Sequence, residues 1–431
     1  MRDTIFALAT APGRAALAVI RLSGPAAWEA AAALGATNLE PRQAHLRKLL
    51  EPNGEGLDEA LVVGFRGPAS FTGEDVVELH LHGGPAVVHA VTRALLGQGL
   101  RAAEPGEFAR RAFEAGRLDL TQAEGIADLI DAESDAQRRQ ALGQLDGAMA
   151  GRAAAWRADL VRILARLEAA IDFPDEALPE DLASSMGGPI SDLAQRLRQA
   201  LSEGARGEAV RDGFQVALVG PPNAGKSTLF NGLLERDAAI VTDIPGTTRD
   251  VLEGALNLGG YRVVLFDTAG LRDTHDVVEA EGVRRARLRA ETAHLRLHLR
   301  DGRTAETVDT GPADWWVRTR ADMTGTRASG PRVFDTAPGP EGVAGLRQAL
   351  AAHVAQSLSG SEFPAVTRAR HARRLSMAIE ALEQAGAALS IGPELAAEDV
   401  RAAAAALDGL TGRIGVEDVL DEVFSSFCIG K

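Results

Sequence analysis

The chain is almost without cysteine: of its 431 residues only Cys428, close to the end, is one. A single cysteine permits no intrachain disulfide and fits a reducing, cytoplasmic setting. Long hydrophobic runs are also missing. The apolar stretch 15–20 lies between Arg14 and Arg21; it is too short for a signal sequence or a membrane helix and reads as a buried strand, so no membrane partner is expected. There is no basic excess either, the formal net charge being −14. That excludes a protein that coats nucleic acid with a basic surface, and any RNA contact has to be local or shared with a partner. Lysine is the scarcest charged residue. Among 46 basic residues only Lys48, Lys226 and Lys431 are lysines, so a surviving lysine points to a position that needs a compact ammonium. Lys226 and Lys431 are expected to be functional, Lys48 residual.

Apolar content of 45% and charge of 25% are those of an ordinary globular protein, long enough for two or three domains. Residues 1–118 alternate strand and helix signals: DTIFALAT, AALAVIRLSG, LDEALVVGF and EDVVELHLHG read as strands, and 85–96 as a helix with proline in its first turn. This predicts a small α+β domain. From Leu120 the texture turns helical. Thr121 and Glu124 have the spacing of a capping box, and 153–170 carries Leu160, Ile163, Leu164 and Leu167 on one stripe. Strand–loop–helix alternation occupies 213–355, and the helical texture returns over 356–431. The pattern predicts a helical domain (119–212 and 356–431) with an α/β domain inserted into it.

The inserted segment carries the chemistry. FQVALV (214–219) reads as a buried strand and runs into Gly220-Pro-Pro-Asn-Ala-Gly225-Lys226-Ser227. Such a loop turns backbone amides onto phosphates at a helix N-terminus. Lys226 then reaches the β- and γ-phosphates, and Ser227 ligates Mg²⁺. Asn223, Ala224, Gly225 and Thr228 complete the expected contacts. A second element, Asp243-Ile-Pro-Gly-Thr247-Thr248, offers Thr248 to the Mg²⁺ shell. A third, Asp267-Thr268-Ala269-Gly270 at the end of a strand, offers a carboxylate that holds the metal through water and an amide that senses the γ-phosphate. Together they predict a Ras-like P-loop GTPase domain. Base recognition departs from the usual Asn-Lys-x-Asp, for the matching residues are Thr319-Arg320-Ala321-Asp322. Asp322 still accepts from the guanine N1–H and amine, and Arg320 stacks where lysine usually lies. Thr336-Ala337-Pro338 stands where Ser-Ala-Lys usually supports the base. The preceding segment, His294 to Asp301, alternates cations with leucines; either it is a strand with one wet face or the strand lies elsewhere. Leu271 stands where many GTPases place a water-orienting glutamine, so hydrolysis needs another device.

Beyond these motifs the whole chain resembles the MnmE (TrmE) family of tRNA wobble-uridine modification GTPases. DTAGLRDTHDVVEAEG, DTIFALATAPGRAALAVIRLSGPAA, FTGEDVVELHLHGG, EPGEFARRAFEAGRLDLTQAEGIADLIDA and the terminal EDVLDEVFSSFCIGK carry the likeness. The resemblance implies a folate-binding, dimerising N-terminal domain, a helical domain and an inserted G domain. It also implies an FAD-containing MnmG-type partner in a heterotetramer, and a product modified at C5 of uridine 34 of certain tRNAs. In the family a glutamate, matched by Glu279, assists the water. A K⁺ ion held by positions matching Asn223, Thr242, Ile244 and Thr247 replaces an arginine finger. The bland alternatives are that Asn223 stabilises its loop and Glu279 is solvated. Residues matching the site for 5-formyl- or 5,10-methylene-tetrahydrofolate are Arg21, Glu78, Arg117 and Lys431, groups suited to a pterin with a carboxylate tail. Cys428 is either a nucleophile toward uridine C6 or a buried inert thiol. His80 and His82 alternate with Glu78 on a strand, and no metal is expected there. A GTP-dependent assembly or ribosome-maturation factor is the competing reading, with folate binding as discriminator; Asp322 disfavours an ATP-using enzyme.

Overall fold

The computed structural model describes residues 3–172, 182–234, 253–267, 290–303, 314–323, 332–360 and 364–412, with Val423, Phe424, Phe427 and Gly430. The chain forms two compact units. One comprises Met1–Ala127, Gln144–Pro189 and Gln384–Lys431, the other Asp128–Gly143 and Ile190–Glu383.

The first unit is built on a six-stranded sheet: β1 (Ile5–Leu8), β2 (Leu17–Ser23), β3 (Ala44–Leu50), β4 (Gly56–Phe65), β5 (Val76–His82) and β6 (Arg101–Ala102). The order is β3-β4-β5-β2-β1-β6, antiparallel except for β1 beside β6. The period-2 pleat sends Ile20, Leu22, Val62, Leu79 and Leu81 to one face. There they pack with Ala30 of α1 (Ala27–Ala33), with Leu34 just after it, and with Val91 and Leu95 of α2 (Pro85–Gly97). Leu17, Leu46 and Leu61 point the other way and are exposed. The four strands expected from sequence are present. β3 escaped that reading because Arg47 and Lys48 interrupt its apolar pattern; Lys48 is exposed on it, opposite Glu59.

A buried arginine fastens this sheet to α3 (Glu107–Glu114). Arg111, 5% exposed, donates to the Asp3 carbonyl and carboxylate (both 2.8 Å), to Glu107 (2.9 Å) and to Glu74 (3.1 Å). Next comes α4 (Leu120–Ile130), and its start corrects the expected capping box. Asp119 Oδ1 accepts from the Gln122 amide and Gln122 Oε1 accepts from the Asp119 amide, each at 3.0 Å. The helix begins at Leu120, so the box sits two residues earlier than Thr121–Glu124. Those two are buried inside the helix instead. α6 (Ala148–Asp172) buries Trp156, Leu160, Ile163 and Leu167. It is tied to α11 (Pro393–Thr411) by Arg157 on Asp408 at 2.9 Å.

The second unit holds β7 (Phe214–Val219), β8 (Glu253–Leu258), β9 (Tyr261–Asp267), β10 (Leu295–Asp301), β11 (Asp314–Thr319) and β12 (Val333–Asp335). Their order is β12-β11-β10-β7-β9-β8, parallel apart from the β8–β9 hairpin. Val216, Leu218, Leu295, Leu297, Leu299 and Val317 form one core with α8 (Lys226–Leu234) and α9 (Ala344–Leu358). The cation-rich segment is thus a central strand with one apolar face. Its other face is half-buried and partnered by β11: Arg296 pairs with Asp314 at 2.6 Å, while His298 stacks on Trp316 at 4.8 Å and Arg300 lies over the same ring at 4.7 Å. The β11 strand, DWWVRT, was not placed by the sequence.

Helical pieces of this unit grip the β8–β9 hairpin. In α5 (Asp135–Leu145), the Ala136 amide donates to the Gly260 carbonyl at 3.0 Å. Gln137 and Gln140 donate to the Arg211 and Gly207 carbonyls of α7 (Gly187–Asp212) at 2.7 and 3.0 Å. At the root of β9, Arg262 pairs with Glu133 at 2.7 Å and donates to the Asp212 carbonyl at 2.8 Å. β9 therefore runs from a clamped end to Asp267. α10 (Ala369–Ala388) follows α9 in sequence.

Candidate functional site

The parallel strands β7, β9 and β10 end on the same edge, where open α/β sheets bind ligands. Beyond β7 the loop turns through two left-handed residues, Asn223 at φ 63° and Gly225 at φ 86°. Alternation of this kind directs successive amides to one side and makes an anion-binding concavity. Gly220 is needed for space, since a Cβ there would lie 2.6 Å from the Leu299 carbonyl. Lys226 opens α8 and is 5% exposed. Its Nζ curls over the loop and donates to the Gly220 and Pro221 carbonyls at 2.6 and 2.9 Å. Ser227 and Thr228 follow, exposed, on the first turn. Asp267, 3% exposed, ends β9 in register with Leu218 of β7, so its carboxylate is delivered to the edge from which the loop departs. A buried ammonium, exposed hydroxyls at a helix start and a carboxylate on the neighbouring strand suit a polyphosphate with a divalent cation. Ser227 and Asp267 are the described residues that would hold the metal.

The base side is a cleft of about 370 Å³, open solvent included, lined by Gly225, Thr228, Leu229, Thr319, Arg320, Thr336, Ala337 and Pro338. Thr319 is 6% exposed and joins the two halves of the site. Its hydroxyl donates to the Ala224 carbonyl at 2.7 Å, with the Arg300 carbonyl at 3.1 Å. Its Cβ would stand 3.2 Å from one on Gly225. Arg320 is in the left-handed region (φ 55°) and donates to Asp301 at 2.6 Å. Hydrogen bonds from Arg303, then from Arg320, hold the Asp301 carboxyl well below the usual carboxylate range. Asp322 is exposed on the 3₁₀ turn Ala321–Met323 that follows. It lies outside the lining of the cleft. Thr319 is visible in the sequence as a replacement, but nothing local to it reveals the tie to Ala224. Asp301 as the anchor of Arg320 is equally hidden, since it depends on β11 lying beside β10.

In the first unit the structure brings together two of the expected folate residues. Arg21 and Glu78 face each other across β2 and β5, with contacts of 3.0 and 2.9 Å. The guanidinium also lies 5.4 Å from the Phe71 ring centre and 5.8 Å from that of Phe108. Arg117 is exposed beyond α3, its stem beside Gly73. His80 lies 3.4 Å from Glu78, and His82 pairs with Asp58 at 2.7 Å. Thr242, Ile244, Thr247, Thr248, Thr268, Ala269, Gly270, Glu279, Cys428 and Lys431 lie outside the described residues. Among the described residues no helix is long and apolar enough to cross a membrane.

Comparison with known proteins agrees with this geometry. The family model of the MnmE helical domain matches residues 120–428, and that of the GTP-binding protein TrmE N-terminus matches 4–117. The tRNA modification GTPase MnmE of Caulobacter vibrioides is 56% identical over 447 residues, covering 100% of both chains. That of Phenylobacterium zucineum is 52% identical over 450 residues, again covering 100% of both. Among solved structures, the G domain of the T. maritima FeoB iron transporter is 22% identical, covering 32% of this chain and 98% of its own, at a TM-score of 0.24. That score is too low to carry weight beside the full-length relatives. With a phosphate loop, a metal-side carboxylate and a base cleft on one sheet edge, and relatives alike from end to end, the chain belongs to the MnmE family of tRNA modification GTPases.

Proposed function

We propose that this chain is a K⁺-dependent GTPase which, with an FAD-containing MnmG-type partner, modifies C5 of the wobble uridine of certain tRNAs using a folate one-carbon unit. The observation that carries the GTPase part is the phosphate loop itself. Asn223 sits in the left-handed region, and the buried Lys226 donates to the loop's Gly220 and Pro221 carbonyls. The Asn223 carboxamide is thereby on hand for a monovalent cation at the phosphates, with Thr242, Ile244 and Thr247 as the other expected ligands. A cation there offsets the charge that develops on the transferring phosphoryl group. Mg²⁺ would be held by Ser227 and Thr248 with Asp267 behind them, and would neutralise phosphate charge. In this reading Glu279 orients the attacking water.

Three further parts of the proposal have their own support. The Arg21–Glu78 pair offers a cation and an acceptor on one sheet face beside Phe71 and Phe108, a setting that suits a pterin ring. Exposed Leu17, Leu46 and Leu61 on that same face favour its use in a homodimer. The domain division of 1–118, 119–212, 213–355 and 356–431 is proposed on the change of texture along the sequence. Cys428 is proposed as the residue that activates the uridine, and the cytoplasm as the site of action.

Hydrolysis of GTP and ATP by the purified protein, in K⁺ and in Na⁺, tests the core of this reading alongside Asn223→Ala. Turnover of GTP should require K⁺ and fall in the variant. Equal rates in both salts would remove the potassium assignment, and absence of GTP turnover would remove the GTPase reading of the site.

A further inference from the structure

The two motifs that would sense a γ-phosphate bracket one piece of chain. In sequence, 243–248 precedes β8 and 267–270 begins at the last residue of β9, so the β8–β9 hairpin joins them. β8 is an edge strand and pairs with β9 alone among the described strands. The hairpin turns at Gly259 and Gly260, whose φ of 61° and 87° are the positive pair that a two-residue turn needs.

The start of α5 meets that turn. Ser134 and Gln137 form a reciprocal cap: the Gln137 amide donates to the Ser134 hydroxyl at 3.3 Å, and the Ser134 amide to Gln137 Oε1 at 3.0 Å. Ala136 lies between them, and its amide is one of the donors that a helix start leaves unsatisfied. The Gly260 carbonyl accepts it at 3.0 Å, so the hairpin turn is part of the cap of α5. Two residues on, Arg262 fastens the same junction. It donates to Glu133, just ahead of α5, at 2.7 Å and to the carbonyl of Asp212, the last residue of α7, at 2.8 Å. The texture of the sequence assigns α5 to the helical domain, yet residues 128–143 group with the nucleotide-binding unit.

We infer that the junction of Gly260, Arg262 and Glu133 passes the γ-phosphate state of the nucleotide site to α5, with the β8–β9 hairpin as the moving part. The inference rests on the GTPase reading and adds to it the place where the signal leaves the site. The turn and Asp267 lie at opposite ends of β9. Holding both motifs on a γ-phosphate draws the hairpin toward the phosphate edge and away from α5. Releasing them on hydrolysis lets the turn settle back on the Ala136 amide. Arg262 and Glu133 are positioning residues, at the far end of β9 from the phosphate loop.

Hydrogen exchange of the purified full-length protein, followed by mass spectrometry with GDP or with the non-hydrolysable analogue GMPPNP, tests this in the presence of Mg²⁺ and K⁺. Amides in the first turn of α5 should exchange about fivefold faster with GMPPNP than with GDP, the effect of losing one N-terminal cap contact. Arg262→Gln and the milder Glu133→Gln should shrink that ratio toward one, while either nucleotide still protects residues 220–228. Should Arg262→Gln loosen β7 and α8 as well, Glu133→Gln decides, since it keeps the bond to Asp212. Equal exchange at α5 with the two nucleotides, or faster exchange with GDP, overturns the inference. So does a full ratio retained in Glu133→Gln. Absence of protection at residues 220–228 with both nucleotides instead overturns the nucleotide-site reading beneath it, a loss seen at the phosphate loop rather than at α5.

Discussion

Lys226 is where scarcity in the sequence and burial in the structure meet. An ammonium that is 5% exposed and held by two loop carbonyls at 2.6 and 2.9 Å is poised over the place a phosphate would occupy. Lys226→Ala should lower GTP turnover by roughly 10²–10³-fold, the loss typical of one preorganised charge-stabilising donor. Lys226→Arg should recover little, since a planar fork does not fit a pocket shaped for a point charge. Steady-state hydrolysis by the two variants checks both, and near-normal turnover in either would contradict the role. Arg111 teaches the opposite lesson. Nothing in EFARRAFE separates it from Arg110, yet Arg111 is buried among three carboxylates while Arg110 lies on the surface pairing with Glu114. Its partners are drawn from positions 3, 74 and 107, a convergence that no local pattern contains. Removing it takes a buried guanidinium partner from Glu74 and from Glu107, the latter keeping Arg101, so Arg111→Ala should destabilise the first unit by about 3 kcal/mol, the low end for a broken buried pair. Denaturant unfolding of the variant measures this directly.

At the scale of elements, the sequence told most where a period or a motif is strictly local. The phosphate loop after β7, the proline-led α2 and the leucine stripe of α6 were all legible, because each is set by neighbours within a few residues. Boundaries were less so. The α4 cap was placed at Thr121–Glu124 because the spacing fits, whereas the chain turns into the helix one residue after Asp119. Two candidate boxes overlap there, and only the backbone conformation chooses between them. Asp119→Ala should therefore cost about 1 kcal/mol of stability, within the usual range of about 0.5–2 for a lost N-cap. An unfolding midpoint unchanged by Asp119→Ala would return the cap to Thr121. The strand β10 was ambiguous for a different reason. Arginine and histidine on a central strand look misplaced until β11 supplies Asp314 and Trp316 beside them. Because DWWVRT had not been recognised as a strand, the partners that make β10 tolerable were invisible. The same omission hid the link from Arg320 to Asp301 and so half of the base cleft.

Across the whole molecule, the two units carry titrating groups of different kinds, and acid should find them in order. In the second unit, burial lowers His294 and His353 from the ordinary histidine value of 6.5, with Arg332 adding to the effect at His353. The rings pack on Phe214, and His294 Nδ1 accepts the Gln215 amide, which a protonated ring could not do. The unfolded chain therefore binds more protons than the folded one once pH falls below 6.5. Their contribution is complete above that value and is lost as pH falls toward the lowered folded values. His294 keeps an exposed edge, so water moderates its share, and His353 should dominate. In the first unit the groups are carboxyls. The Arg101 hydrogen bond, with help from Arg111, holds Asp3 below 3.8. Burial alone would raise Glu107, but Arg101, the Glu104 amide and Arg111 outweigh it and hold it below 4.5. Stability from these is complete above 4.5 and is lost only as pH falls below it. Hydrogen exchange followed by mass spectrometry at pH 7.5, 5.5 and 4.5 would separate the two. Corrected for intrinsic exchange, protection of β7, β10 and α9 should weaken between the first two conditions while that of β1, β2 and β5 holds. His353→Phe should flatten the early loss. If both sheets loosen together, or if the variant keeps the full slope, the histidines are not what makes the nucleotide-binding unit the first to yield to acid.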